Sequence, residues 1–185
     1  MRCRGLHRIH ATSRRLMRDA RAVAAVEFAV VMPFMLTLYL GSLELNNALT
    51  LQFKTALASR AVTDLASQYT SIDNSTMSGI LGAASPVFAP YAAAGVTVIV
   101  SQITVDSAGK GTIAWSDAVN GTAYTVGQAV TLPSSLQAAN ASLIWGQVTF
   151  PYRSTFGYGF TGTINLSAGN YFYPRLSTTV TRLNS

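Results

Sequence analysis

The feature that most constrains this chain is an apolar run that follows directly on a cluster of arginines. Residues 28–43 carry no charged side chain, and a start at Val23 gives 21 residues, about 31 Å of helix, which is enough to cross a bilayer. Residues 1–22 hold seven arginines against one aspartate, and the remaining residues are balanced in charge. Because basic residues before a span keep an N-terminus in the cytoplasm, the sequence predicts a single-pass protein with its C-terminal part outside.

Three other interpretations of this N-terminal part are weaker. The basic leader, residues 1–22, lacks the aromatic or structured basic face of an RNA-binding arm, so no nucleic acid is predicted as a partner. The apolar part is long for a cleavable secretory signal and continues into a helical pattern. A buried helix of a soluble protein would not need the arginine cluster ahead of it.

Two residues inside the predicted transmembrane helix, residues 23–43, are unusual for a membrane span. Glu27 places a carboxylate just inside the run, where it costs less than at the bilayer centre but still needs an offset. An acid in the first turn of a helix is also favoured by the helix dipole, which is the simpler explanation. Pro33 predicts a kink that leaves the carbonyl of Ala29 without its usual partner.

The helical pattern continues beyond the span as an amphipathic extension, residues 44–68. Apolar side chains recur every four residues there: Leu45, Leu49, Phe53, Leu57, Ala61 and Leu65. This stripe is expected to pack on the protein's own domain by default, or otherwise on a partner helix. Residues 69–95 are rich in Gly, Ser, Ala and Pro and predict a connecting segment with one short helix around residues 75–81.

The last part, residues 96–185, predicts a β-rich head. Four runs with strand character begin at Val96, Gly111, Ala141 and Tyr171, and residues 106–111 are typical of a hairpin turn. Residues 131–140 interrupt the sheet and suit a short helical turn. The predicted fold class is therefore α+β, a long N-terminal helix packed on a small antiparallel sheet of about four strands.

The N-terminal stretch RRLMRDARAVAAVEFAVVMPFMLTLYLGSLEL resembles the TadE/TadG-like pseudopilins of the tight-adherence (Tad, or Flp) pilus system. The resemblance lies in the basic leader, the AAVEF box that contains Glu27 and Phe28, the proline in the apolar run and the downstream helix. A looser resemblance is seen in VTFPYRSTFG and YPRLS of the head. One departure is Ala22, which stands where the family usually has Gly.

The resemblance implies that a prepilin peptidase cuts the chain between Ala22 and Val23, so that Glu27 becomes the fifth residue of the mature protein. It further implies that Glu27 and Phe28 serve assembly, with the carboxylate pairing with the terminal amine of a neighbouring subunit. The implied partners are the prepilin peptidase, sibling pseudopilins, the major pilin, the inner-membrane pilus platform and the lipid bilayer. The implied location is the bacterial inner membrane with a periplasmic head, or the pilus itself.

The inventory of reactive side chains argues against an enzyme. His7, His10 and Cys3 are the chain's histidines and its cysteine, and they all lie in the leader. A processed head therefore lacks the groups for Ser-His-Asp or Cys-His catalysis and for the usual zinc sites, so no cofactor and no metal are predicted.

An aromatic cluster in residues 150–160 is the candidate for partner binding in the head: Tyr152, Phe156, Tyr158 and Phe160. A core strand followed by a glycine-rich loop explains the same pattern and is favoured over an exposed apolar patch. The alternative function that stays open is an uncleaved, signal-anchored envelope protein whose periplasmic head binds a ligand or a partner.

Overall fold

The structure, a computed structural model, describes residues 20–155 and 162–183, and its first element is a long helix. Helix α1, Ala20–Ser67, has 48 residues, about 72 Å of helix, and Pro33 lies within it. The chain divides into two compact units, the first ending at Asn46 and the second beginning at Asn47. Within the described residues, one helix is long and apolar enough to cross a membrane.

The second unit is built around an antiparallel sheet. In chain order after α1, its elements are β1 (Ser71–Ile72), α2 (Asn74–Gly82), a 3-10 turn (Ser85–Phe88), β2 (Thr97–Val105), β3 (Gly111–Val119), β4 (Ala129–Val130), a 3-10 turn (Ser134–Leu136), β5 (Ser142–Arg153), β6 (Thr163–Phe172) and β7 (Thr181–Arg182). The main sheet has the order β4-β3-β2-β5-β6, and every neighbouring pair in it is antiparallel. The predicted α+β class is confirmed, with five strands in this sheet instead of four.

The β2–β3 connection is the predicted hairpin. The carboxylate of Asp106 accepts the backbone N–H groups of Ala108 and Lys110 at 2.9 and 2.8 Å. Gly109 takes a φ of 82°, a left-handed conformation that glycine adopts without strain. The turn therefore closes through local chemistry that the sequence already displays.

The last strands differ from the sequence prediction. A strand starting at Tyr171 is wrong, because β6 occupies Thr163–Phe172 and residues 173–180 are irregular. The chain returns to extended structure only at β7, which pairs in parallel with β1 near the end of α1. Arg182 secures this return, since its guanidinium donates to Asp117 at 2.9 Å and to Asn74 at 2.6 Å.

The helix packs on the sheet through a face of small side chains. The buried positions of its second half follow one helical face and include four polar residues: Leu51, Thr55, Ala58, Ser59, Val62, Thr63, Ala66 and Ser67. Ser59 donates its hydroxyl to the carbonyl of Gly146 at 2.9 Å, and Asn170 donates to Ser59 at 3.1 Å. Helix and sheet thus approach closely where β5 has no side chain.

The large apolar stripe faces the other way, and this corrects the expectation that it packs on the protein's own domain. Leu45, Leu49, Phe53 and Leu57, which we call the outer stripe, are all exposed, Phe53 to 70%. Ala61 and Leu65, the last two positions of the predicted stripe, are half-buried. The face of small side chains is the buried one, because only small side chains allow a helix to lie this close to the β5 backbone.

Candidate assembly and partner surfaces

The predicted processing site lies near the start of α1. Ala22 and Val23 are both within the helix, and the side chain of Val23 is about half exposed. Glu27 and Phe28 follow four and five residues after Val23 and are also exposed. The structure therefore places the predicted cleavage and assembly residues within two turns of one continuous helix.

Glu27 is a lone carboxylate in an apolar surface. No hydrogen bond or ion pair to it is seen among residues 20–155 and 162–183, and its neighbours Val26, Phe28, Val30 and Val31 are exposed apolar side chains. Burying such a carboxylate in lipid or against another helix is unfavourable unless a cation accompanies it. Within the described residues, Glu27 is therefore exposed without a cation beside it.

Pro33 is accommodated inside α1. Its carbonyl accepts the hydroxyl of Thr37 at 2.8 Å, in addition to its place in the helix. This bond does not involve the carbonyl of Ala29, which is the group that the missing N–H of Pro33 would have bonded. The kink expected at this position stays a prediction.

The outer stripe is an exposed apolar surface outside the predicted span. It covers residues 45–57 of α1 on one side, while the opposite side of residues 51–67 is buried against the sheet. Arg60 follows the stripe as an exposed cation. Because the sheet covers the face of small side chains, the helix presents the outer stripe to water, lipid or a partner.

Tyr152 lies in the core and not in an exposed patch. It is 7% exposed and belongs to the main hydrophobic cluster at the end of β5. The other predicted partner-binding aromatics, Phe156, Tyr158 and Phe160, lie outside the described residues. Their role stays a prediction, whereas the core strand that the sequence favoured at the start of residues 150–160 is the end of β5, which stops at Arg153.

Tyr152 also lines a cavity of about 580 Å³. The residues that line it include Asn47 and Leu51 of α1, and Tyr91 with its neighbours in the connecting segment. Its wall is mainly apolar, with Arg153 adding a positive charge. Tyr91 could not be predicted as a lining residue from the sequence. Nothing in residues 69–95 indicates that Tyr91 lies beside the end of β5.

Asp64 of α1 and Asp117 of β3 are each engaged by a different arginine. Asp64 pairs with Arg175 and Asp117 with Arg182. The hydrogen bonds to Asp117 raise the pKa of the Arg182 guanidinium. Within the described residues, no group of three His, Cys, Asp or Glu side chains is placed to hold a metal ion.

Asp73 acts locally as the N-cap of α2. The backbone N–H of Thr76 donates to its carboxylate at 2.7 Å, and this bond lowers the pKa of Asp73 below its usual value.

An aromatic stack involves β5 and β6. Trp145 stacks between Tyr124 and Tyr171, with ring centroids 5.2 and 5.5 Å away. Burial, and then the nearby Tyr124, raises the pKa of the Tyr171 phenol.

Comparison with known proteins bears on the helix. The family model described as TadE-like protein matches residues 22–64, which start at the predicted processing site and end in the helical extension. Searches among curated proteins and among solved structures give no significant match. The TadE-like family is a structural component of pili and not a family of enzymes. The chain therefore carries a TadE-like domain at residues 22–64, consistent with the TadE/TadG-like family of Tad pilus systems.

Proposed function

We propose that this protein is a minor pseudopilin, a membrane-anchored component of a Tad-type pilus that a prepilin peptidase cuts between Ala22 and Val23. The TadE-like domain and the long apolar helix support the coarser statement, a single-pass membrane protein associated with a Tad pilus. In the proposed arrangement, residues 1–22 are a cytoplasmic leader, residues 23–43 span the inner membrane, and the amphipathic helix 44–68, the connecting segment 69–95 and the β-rich head 96–185 are periplasmic.

The observation that carries the proposal is the lone carboxylate of Glu27 on an exposed apolar helix. Cleavage after Ala22 would create a positive α-amino group on Val23, four residues from Glu27. The amine of a neighbouring subunit would supply the cation that Glu27 needs when it is buried, and it would set the axial register between helices. Phe28, exposed beside Glu27, would join the same helix–helix contact.

The outer stripe supports assembly independently of Glu27. Its apolar side chains continue along α1 beyond the span and are not used by the head. Contact with sibling pseudopilins or the major pilin would remove them from water, at roughly 25 cal/mol for each Å² of apolar surface buried. The proposed partners are therefore these subunits together with the inner-membrane pilus platform and the bilayer.

Processing is tested by the intact mass and N-terminal sequence of the membrane-extracted protein, made with and without a cognate prepilin peptidase. We expect a chain that begins at Val23 only when the peptidase is present. An Ala22→Gly variant, which restores the residue usual in the family, should be cut at least as completely. A chain that keeps Met1 in both strains would contradict processing at this site.

The role of Glu27 is tested by Glu27→Gln and Glu27→Ala in cells that make the pilus. Both variants should insert and accumulate like the wild type but lose piliation, because the missing charge removes the ion pair. Loss of the protein itself would instead indicate that Glu27 serves helix formation through its dipole.

A second candidate function is favoured by the cavity at Tyr152 and Tyr91. In this alternative, the protein keeps residues 1–22 and its periplasmic head binds a ligand or a partner unrelated to pili. The mass measurement separates the two functions, because only the alternative retains the leader in the presence of the peptidase.

A further inference from the structure

The cavity that Tyr152 lines, of about 580 Å³, combines an apolar floor with a cation at its mouth. Leu51, Phe150 and Tyr152 form the buried part of its wall, and each is less than a tenth exposed. Ala92 and Arg153 line the cavity as exposed residues, so it opens at the protein surface. Its volume lies in the range of sites that hold small molecules.

The lining residues indicate what kind of molecule would fit. Water is a poor occupant of the floor, because an ordered water needs several polar partners and the floor is a leucine side chain and two aromatic rings. Among the described residues that line the cavity, Arg153 is the only charged one. The cavity therefore complements a molecule with an apolar chain and an anionic group.

The chain itself places this cavity close to the membrane. Asn47, another lining residue, belongs to α1 and follows Leu43, the last residue of the predicted span, by four positions. Four residues of helix advance by about 6 Å. A phospholipid at the membrane surface is therefore the nearest molecule that has both an apolar chain and an anionic group.

We propose that this cavity binds one anionic phospholipid, with the end of an acyl chain on the floor and the phosphate beside Arg153. The acyl chain exchanges one apolar surrounding for another, so the gain in free energy comes from two other sources. The floor is removed from water, and the phosphate is attracted to the guanidinium.

The bound lipid would attach the head to the membrane surface in addition to the span. This inference goes beyond the proposed pseudopilin function, because it requires a membrane anchor but neither cleavage after Ala22 nor a pilus. It also assigns a ligand class to a cavity for which the sequence predicted none.

The first test maps the position of the lipid by photo-crosslinking. The full chain is reconstituted in phosphatidylcholine nanodiscs that contain phosphatidylglycerol with a photoreactive group at the end of one acyl chain. Labelled peptides are identified by mass spectrometry. We expect adducts in residues 91–95 or 150–153, which we call head adducts. Adducts confined to residues 23–43, where any lipid contacts the span, would overturn the proposal.

Matched variants test the charge of Arg153. Arg153→Gln should reduce the yield of head adducts about fivefold, whereas Arg153→Lys, which keeps the charge, should stay within about twofold of the wild type. Arg60→Gln removes an exposed cation of α1 that does not line the cavity and should have no effect. An equal loss with Arg60→Gln and Arg153→Gln would contradict a headgroup site at Arg153. Equal yields with a photoreactive phosphatidylcholine would do the same.

A further pair of variants tests the cavity without removing a core side chain. Ala92→Phe places a ring at an exposed lining position and should lower the yield of head adducts, whereas Ala108→Phe, in the β2–β3 hairpin, should not. Both positions are exposed, so neither variant should change the unfolding temperature. An unchanged yield with Ala92→Phe would place the lipid elsewhere and overturn the proposal.

The outcome is distinguishable from that of the pilus proposal. All of these measurements use the chain with its leader and without a prepilin peptidase. A chain that is never cut and never enters a pilus would therefore still give head adducts, and a processed pseudopilin without the lipid site would give none.

Discussion

At the scale of single residues, the contact between helix and sheet depends on Gly146. A Cβ atom at this position would lie 2.1 Å from the hydroxyl oxygen of Thr63 and 3.3 Å from the carbonyl of Ser59. Because real Cβ atoms essentially never approach another heavy atom within 3.0 Å, a larger residue must displace the Thr63 hydroxyl or push α1 away from β5. Glycine is required here by close approach and not by its backbone angles.

Gly146→Ala should lower the free energy of unfolding by about 1 to 3 kcal/mol through overpacking. Denaturant unfolding of the full chain in micelles, followed by near-UV circular dichroism, measures the change. Adding Thr63→Ala removes the atom 2.1 Å away and should restore part of the loss.

The matched control for this glycine is Gly79→Ala. A Cβ at position 79, inside α2, meets nothing within 4 Å. Alanine there should be neutral or slightly stabilising, because it favours the helix. A loss of stability at Gly79 equal to that at Gly146 would show that close approach is not the cause.

Asp73 predicts a pH dependence of stability at the residue scale. Its pKa is lowered in the folded protein, so its contribution is present above the unfolded pKa, near 4, and is lost as the pH falls through the folded value. Asn caps a helix as well as Asp but does not titrate. The stability of the wild type relative to Asp73→Asn should therefore fall from pH 6 to pH 2, and a difference constant over that range would contradict the cap.

At the scale of elements, α1 shows that residue size and not apolarity alone decided which face the sheet covers. The buried face includes Thr55, Ser59 and Thr63, whereas leucines of the outer stripe stay exposed. The buried hydroxyls bond to nearby carbonyls of the helix or of β5. The outer stripe is thus left for contacts outside the head.

Substitutions on the two faces of α1 should therefore separate assembly from folding. Phe53→Gln and Leu57→Gln, on the outer stripe, should change the free energy of unfolding by no more than about 0.5 kcal/mol. Both should nevertheless reduce incorporation into the pilus, measured by the amount of this protein in sheared pili.

Val62→Ala is the comparison on the buried face. Its side chain is fully buried, so the truncation should cost about 2 kcal/mol while leaving the outer stripe intact. If Phe53→Gln unfolds the head as readily as Val62→Ala does, the outer stripe packs on the protein itself and the assignment of faces is wrong.

At the scale of the whole molecule, the distribution of charge predicts the orientation across the membrane. Seven arginines precede the span, while the rest of the chain is balanced in charge. Val126, which is 67% exposed in the head, and Cys3 in the leader should therefore lie on opposite sides of the membrane.

Labelling with a membrane-impermeant maleimide tests this orientation. In spheroplasts of cells without the peptidase, Val126→Cys should be labelled at once, whereas Cys3 should react only after lysis. The wild type, which has Cys3 alone, is the control for the leader signal. Labelling of Cys3 in intact spheroplasts would reverse the predicted topology.

The sequence by itself determined the features that depend on local pattern. The apolar span, the helix through residue 67, the hairpin at Asp106 and the strands β2, β3 and β5 follow from periodicity and turn chemistry. The TadE-like character of residues 22–64 likewise follows from a contiguous motif. These features are readable because the residues that produce them are neighbours in the chain.

Only the tertiary structure decided which surfaces are buried on folding and which remain exposed. The period-four stripe of large side chains predicted the wrong buried face, since the bare backbone of Gly146, 83 residues after Thr63, favours small side chains on the helix. The start of β6 at Thr163 was also not predicted, because its pairing with β5 and not a clear alternation of buried and exposed residues defines the strand. Both outcomes arise from contacts between distant segments, which no local pattern in the sequence records.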